Sequence, residues 1–413
     1  MNNWIVSQLG SREHYNVASA LHAAGALKML FTDVWVRRRH ARLLGGLAPS
    51  LAARRQDDLP DILVRSALLR RLSFDVSLRL TGLAGWDACI KRNTWYADWA
   101  ASQLRDAPAD TFFSYAYTAS RPFEVAKRRG MRCILDQIDG AWREEQLWRE
   151  LSRPYHAIEA AVDEAPPEYW AAWREELAMA DVIVVNSGWS KKLIVEAGAD
   201  EGKIVEVPLV YAPATPAVGN SQSSAGDHLV TRHPPLVTGS RPRLQALFLG
   251  SVVLRKGVGQ LLDAIRLLKA EPVDFTFAGP NGVRVPDDIQ AMPHVRFLGP
   301  VDRSTAEQLY YESDVFLFPT LSDGFGRTQL EALGHGCPVI ASRNCAQVVE
   351  DRVNGLVLEE VTPEAIAEAM MELVRDRDLL AQLKSGARVP DRFHPRHLAP
   401  ALLALAHAPV RLP

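Results

Sequence analysis

Residues Leu317–Ser342 read LFPTLSDGFGRTQLEALGHGCPVIAS, and their order of residue types decides how this part of the chain folds. An apolar run ends at Phe318, a turn carries Asp323, Gly324 and Gly326, a helical stretch follows, and Pro338 to Ala341 opens a second apolar run. Strand, turn, helix and strand in that order make a parallel βαβ unit, whose turn lies on the binding edge of its sheet. Asp323 sits in the turn and Glu331 in the helix behind it, so two carboxylates flank a backbone whose glycines leave N–H groups accessible. Such a turn can accept hydroxyl donors and present N–H groups to an anion, with Phe325 available as an apolar wall.

Working outward, the second half continues the alternation. Strands are expected at Leu244–Leu249, Val273–Ala278, His294–Leu298 and Val315–Phe318, and helices at Gly257–Lys269 and Thr305–Glu312. Pro363 stands at a first helical turn before Glu364–Val374, and a shorter helix follows around Leu379–Ser385. The segment GSVVLRKG, Gly250 to Gly257, is a strand-to-helix turn in which Gly250 permits close approach. In it Arg255 can donate two parallel hydrogen bonds, and Lys256 adds a flexible positive point at the next helix N-terminus. The first half alternates likewise, with strands at Trp4–Ser7, Leu27–Phe31, Thr111–Tyr117, Met131–Leu135 and Val182–Asn186, and a helix from Glu13 to Ala24. Ala212 to Pro242 is rich in Pro, Gly, Ser, Thr and Ala without periodicity, which marks an interdomain boundary. The expected organisation is therefore α/β: Rossmann-like domains at 1–211 and 244–390 face a cleft, 212–243 joins them, and 391–413 forms a C-terminal segment.

Composition excludes several other classes. With 413 residues, 47% of them hydrophobic, the chain can fill two cores. Its net charge of −2 gives no general electrostatic footprint for nucleic acid. Cys89, Cys133, Cys337 and Cys345 form no CxxC pair, so free thiols in a reducing compartment are expected rather than a metal site or disulfide scaffold. No apolar run approaches the ~20 residues that span a bilayer, and the first residues lack a secretory pattern, so a cytoplasmic protein is expected. Between Val36 and Leu72 lie Arg37, Arg38, Arg39, Arg42, Arg54, Arg55, Arg65, Arg70 and Arg71 among apolar residues. That mixture suits either a solvated face or peripheral contact with an anionic membrane, here at its inner face.

Four stretches together resemble the family 4 retaining glycosyltransferases of the two-domain GT-B fold. They are GSREHYNVASALHAAG, EELAMADVIVVNSGWSKKLIVEAGADEGKIVEVPLV, LFLGSVVLRKGVGQLLDAI and SDVFLFPTLSDGFGRTQLEALGHGCPVIAS. The family's acidic turn has the pattern E-x7-E, whose two positions fall here on Asp323 and Glu331. The resemblance implies sugar transfer from a nucleoside-diphosphate sugar to a glycan, lipid-linked or small-molecule acceptor, with retention of configuration and no catalytic metal or other cofactor. It assigns Arg255 and Lys256 to the diphosphate, Asp323 to the donor sugar, Glu331 to the ribose and the Thr328 backbone N–H to a phosphate. Gly250, Ser251, Gly324, Phe325 and Gly326 complete the expected donor site, with Arg255, Lys256 and Asp323 as its catalytic members. The acceptor is expected on the N-terminal side, and the final helix is expected to return there.

The chain departs from the family at three places. Ser251 stands where an arginine is common, Asp323 is one methylene shorter than glutamate, and Phe112–Tyr117 lacks the family's donor-contacting histidine. His14, Ser114, Tyr115, Tyr117 and Asp139 are the acceptor-side candidates, and none is singled out as a general base. The same departures suit a noncatalytic sugar-nucleotide sensor or interaction protein, which multiple-turnover product formation would separate from an enzyme.

Overall fold

The computed structural model describes residues 3–38, 54–159, 163–211 and 243–408. The expected linker 212–243, apart from Arg243, lies outside the described residues, as do Arg39 and Arg42. The first sheet contains β1 Trp4–Gln8, β2 Leu27–Thr32, β3 Val64–Ser66, β4 Thr111–Tyr115, β5 Arg132–Gln137, β6 Val182–Val185 and β7 Ile204–Glu206. The second contains β8 Leu244–Leu249, β9 Val273–Ala278, β10 Val295–Phe297, β11 Val315–Phe318, β12 Val339–Ser342 and β13 Gly355–Leu358. Their orders are 3-2-1-4-5-6-7 and 10-9-8-11-12-13, with every strand pair parallel.

Helices cover both faces, which is why the central strands read as unbroken apolar runs. Around the first sheet lie α1 Asn16–Ala23, α2 Leu68–Thr81, α3 Gly85–Leu104, α4 Ser120–Arg128, α5 Ala141–Ser152, α6 Pro167–Met179 and α7 Gly188–Glu196. Around the second lie α8 Val258–Leu267, α9 Asp287–Gln290, α10 Arg303–Glu312, α11 Arg327–Gly334, α12 Pro363–Arg375 and α13 Arg377–Gly386. On α8, Val258, Leu261, Leu262 and Ile265 repeat at helical spacing and are buried together against β8 and β9. Thr362 caps α12 by accepting from the Ala365 N–H at 3.1 Å, with Pro363 at the first turn. The last helix, α14 Leu398–Leu405, buries Leu398, Leu402 and Leu405 among Trp4, Val6, Val17 and Leu21 of the first unit.

The expected helix from Glu13 is corrected by the structure. Glu13, His14 and Tyr15 have φ of 50°, 52° and 65°, and the helix begins only at Asn16. Side-chain anchors hold this loop: Asp33 Oδ1 accepts from the Gly10 N–H at 2.9 Å, and Gln8 Nε2 donates to Gly10 O at 3.1 Å. Buried Tyr15 meets Trp35 edge-on with ring centroids 5.3 Å apart. Left-handed conformations at non-glycine residues cost on the order of 1–3 kcal/mol each and persist only where surroundings over-determine them.

Each sheet reverses its winding beside a central strand, between β1 and β4 and between β8 and β11. Open parallel sheets bind ligands beyond the strand ends at such a reversal. The loop after β8 and the turn after β11, which carry the basic and acidic residues singled out above, both leave the second sheet there.

Candidate functional site

The basic loop and the acidic turn are stitched together by main-chain bonds. Arg255 O accepts from the Leu321 N–H at 2.9 Å and from Thr320 Oγ1 at 3.2 Å, while Arg255 Nη1 donates to Ser322 O at 3.0 Å. Gly257, at φ 73°, passes so close that a Cβ would lie 1.8 Å from Pro319 O, so this crossing admits only glycine without displacement of the backbone. The approach brings Lys256 Nζ into hydrogen-bond contact with Asp323 Oδ2, and Asp323 Oδ1 accepts from the Phe325 N–H at 3.2 Å. Arg255 Nη1 lies 4.0 Å from Asp323 Oδ2.

Burial, then the adjacent Arg255 guanidinium, pushes the Lys256 ammonium down to about 7. The Glu144 carboxylate opposes that shift, because a nearby anion favours the protonated amine. A ligand anion arriving at Lys256 would act in the same sense as Glu144.

The first unit closes over this turn. Gly324 O accepts from the hydroxyls of Ser187 and Ser190, and Trp189 Nε1 donates to Ser322 Oγ at 2.9 Å. The Ser187 oxygen also caps α7, accepting from the Ser190 N–H at 3.1 Å. A Cβ on Gly324 would stand 2.5 Å from Ile138 O, so absence of a side chain sets how closely the two units meet.

Glu144 on α5 is a residue that sequence reasoning missed. Its Oε2 accepts from the Gly140 N–H at 2.8 Å and its Oε1 lies 3.5 Å from Arg255 Nη1. The carboxyl is pushed up by burial and by Asp139, against the lowering effect of Arg255. Nothing in AWREEQ distinguishes Glu144 from Glu145; only the packing of α5 against the basic loop does.

Glu331 lies on α11, accepting from Tyr310 OH at 3.5 Å, with Arg327 Nη2 3.7 Å away. The Thr328 carbonyl receives the same tyrosine hydroxyl at 3.5 Å. Gly250 and the exposed Ser251 follow the end of β8, and Gly326 holds φ 77° at the start of α11. Phe325 requires a correction: it is buried edge-on against Phe393, so its ring belongs to the core and is no ligand wall.

The acceptor-side candidates divide. Ser114 and Tyr115 are 0% and 1% exposed inside the central strand β4 and offer no surface to a ligand, which corrects their selection. Tyr117 follows the strand, and its hydroxyl donates to Asp139 Oδ1 at 2.6 Å while its ring stacks on Tyr169 at 4.9 Å. Its φ of 73° is held by buried Glu176, whose carboxylate accepts from the N–H groups of Tyr117, Ala119 and Ser120 at 2.6, 2.7 and 3.2 Å. His14 is lowered by burial and then by the cationic Arg327 and Arg303. Beside it Glu13 is pushed up to about 7, chiefly by burial, and the carboxyl of Asp136 is raised by its own burial and then by Glu13.

Comparison with known proteins bears on the fold and on the second unit. Residues 243–376 match the family model of glycosyl transferases group 1. The D-inositol 3-phosphate glycosyltransferase of Xylanimonas cellulosilytica is 27% identical over 263 residues, covering 59% of this chain and 60% of its own length. Across the curated relatives it matches, the chain spans about half of their length. Among solved structures, sucrose-phosphate synthase from Thermosynechococcus elongatus superposes with a TM-score of 0.67 at 14% identity, covering 98% of each chain. Anabaena HepE, crystallised in complex with UDP, gives 0.60 at 13% identity over 99% of this chain and 100% of its own. Identities this low establish the fold. The chain thus has the two-unit GT-B architecture, with the similarity to group 1 glycosyl transferases falling on its second unit, residues 243–376.

Proposed function

We propose that this chain is a retaining, metal-independent glycosyltransferase that moves a sugar from a nucleoside-diphosphate sugar to a glycan, lipid-linked or small-molecule acceptor. The observation that carries the reading is the convergence of Arg255, Lys256, Asp323 and Gly324 where the second sheet reverses, under Glu144 and Ser187 of the first unit. Residues 244–390 are proposed as the donor unit and 1–211 as the acceptor unit, joined by 212–243, with 391–413 returning to the acceptor side. The complex of Anabaena HepE with UDP makes a uridine donor the first to test.

In this reading Arg255 and Lys256 neutralise the diphosphate, supported by the backbone at Gly250, Ser251, Gly326 and Thr328. Diphosphate oxygens would draw Lys256 from Asp323, freeing that carboxylate for sugar hydroxyls, while Glu331 accepts from the ribose. The acceptor hydroxyl attacks the anomeric carbon on the face from which the phosphate oxygen departs, and its proton passes to that oxygen. Two cations held beside the leaving group stabilise the charge that develops there. Tyr117, Asp139 and His14 are the remaining acceptor-side candidates.

No helix among the described residues is long and apolar enough to cross a membrane. A cytoplasmic, peripheral placement at the inner membrane face is part of the proposal, supported by four unpaired cysteines and by the basic region of the first unit. Incubation with UDP-, GDP- and ADP-sugars and an acceptor panel, followed by product analysis with anomeric assignment, tests the activity. An inverted product would overturn retention, and stoichiometric binding without turnover across a matched donor and acceptor would favour a sensor.

A further inference from the structure

Ten large hydrophobic side chains are exposed among the described residues, and half of them lie between positions 62 and 80. Four belong to α2: Leu69, Leu72, Val76 and Leu80, exposed by 81, 54, 54 and 83%. At 3.6 residues per turn they fall on one stripe, with exposed Arg70 on one flank and exposed Arg79 on the other. The opposite face is fixed inward. Buried Phe74 stacks on Trp95 with centroids 5.0 Å apart, and Arg71 binds Asp75 at 2.8 Å and Asp33 at 3.2 Å. Rotation of the helix to hide the leucines would break those contacts, so the apolar stripe is held outward.

Among the described residues of the basic region, Arg54, Arg55, Arg65 and Arg71 are engaged internally. Arg54 lies 3.9 Å from Asp33, Arg55 pairs with Asp57 and Asp61 at 2.8 and 3.2 Å, and Arg65 donates to Gln103 O at 3.1 Å. Arg70 and Arg79 have no ion-pair partner among the described residues, and the only acid of α2, Asp75, is taken by Arg71.

We propose that the outward face of α2, Leu69, Leu72, Val76 and Leu80 bordered by Arg70 and Arg79, docks this protein on an anionic lipid surface. Charge selects the occupant. Antiparallel pairing of α2 with a second copy would set Arg70 of one chain beside Arg79 of the other with no acid on the stripe to compensate, whereas lipid phosphates neutralise both while the leucines enter the acyl boundary. The inference rests on the peripheral placement proposed above and uses none of the donor chemistry. Vesicle binding is therefore measured without sugar nucleotide, and UDP binding is measured separately, so either reading can fail alone.

The test is co-sedimentation of the full chain with phosphatidylcholine vesicles and with vesicles also containing phosphatidylglycerol. Salt-sensitive binding to the anionic vesicles is expected, with a loss of about tenfold or more in L69S/L80S and about tenfold in R70Q/R79Q, at unchanged melting temperature and UDP affinity. Absence of wild-type binding at low ionic strength overturns the proposal, as does wild-type binding by L69S/L80S. A dimer in sedimentation velocity that L69S/L80S dissolves, without vesicle binding, overturns it in favour of self-association. Should L69S/L80S lower the melting temperature, R70Q/R79Q decides, because its substitutions lie on the exposed flanks, and wild-type vesicle affinity there overturns the proposal.

Discussion

Lys256 donates to the carboxylate of Asp323, residues 67 positions apart, so the cation proposed for the diphosphate is already held by the carboxylate proposed for the sugar. Each group keeps the other compensated in a largely buried place, and a donor must exchange that contact for its own.

Replacement of Lys256 by alanine is expected to lower kcat/KM by about 10²–10³, the usual effect of removing one donor from a developing oxyanion. Stability should fall by about 1–3 kcal/mol, because Asp323, with a side chain 16% exposed, loses the cation in contact with it and keeps only Arg255 at 4.0 Å. Adding Asp323→Asn should recover much of that stability and none of the rate. Chemical denaturation and steady-state kinetics of K256A, D323N and the double variant form the cycle.

Lys256, pushed down to about 7, also ties donor binding to pH. A diphosphate favours the protonated amine, so above about pH 7 binding must take up a proton, and affinity is expected to fall as pH rises. Calorimetry of UDP binding at pH 8 in buffers of different ionisation enthalpy measures the uptake. In Lys256→Arg the uptake should vanish, since the guanidinium stays protonated; an unchanged uptake would assign the proton elsewhere.

Gly324→Ala introduces a Cβ 2.5 Å from Ile138 O and 3.2 Å from Ser190 Oγ. The two units should be forced apart at this point with each core intact. A fall in kcat of tenfold or more is expected, since displacements of about 1 Å cost on the order of 10² in rate. Small-angle scattering should show a larger radius of gyration at nearly unchanged melting temperature.

Glu176→Gln places an amide where a carboxylate accepts three backbone N–H groups, and one oxygen cannot replace both. A stability loss of about 1–3 kcal/mol is expected. Because Tyr117 is held by this carboxylate and no donor-site residue is, the acceptor KM should rise while UDP affinity stays within about twofold. Equal losses for donor and acceptor would show that the effect spreads beyond Tyr117.

The central strands were legible because a strand buried on both faces must be apolar along its length, as ALFL at Ala246–Leu249 and VFLF at Val315–Phe318 are. The short edge strands β3 and β13 were not, since three partly exposed residues in one and a four-residue run opened by Gly355 in the other are too short to carry such a pattern. Arg255, Lys256, Asp323 and Glu331 were chosen from residue type beside glycine turns, a local signal. Phe325 was chosen on the same signal, and Ser114 and Tyr115 from the strand end where the resembled family carries a histidine; all three are core, because position near a strand end does not state which way a side chain faces.

By itself the sequence determined two alternating βα series, the turns that end their strands, and the charges those turns carry. All are properties of neighbouring residues, set by backbone sterics and hydrophobic periodicity. Tertiary structure alone decided that Lys256 meets Asp323, that Glu144 rather than Glu145 faces Arg255, that Gly324 is the point of approach between the units, and that Leu69 and Leu80 point outward while Phe74 is buried. These are relations between segments distant along the chain or between faces of one helix. They follow from how layers pack, a global balance of burial and charge that no short window of sequence contains.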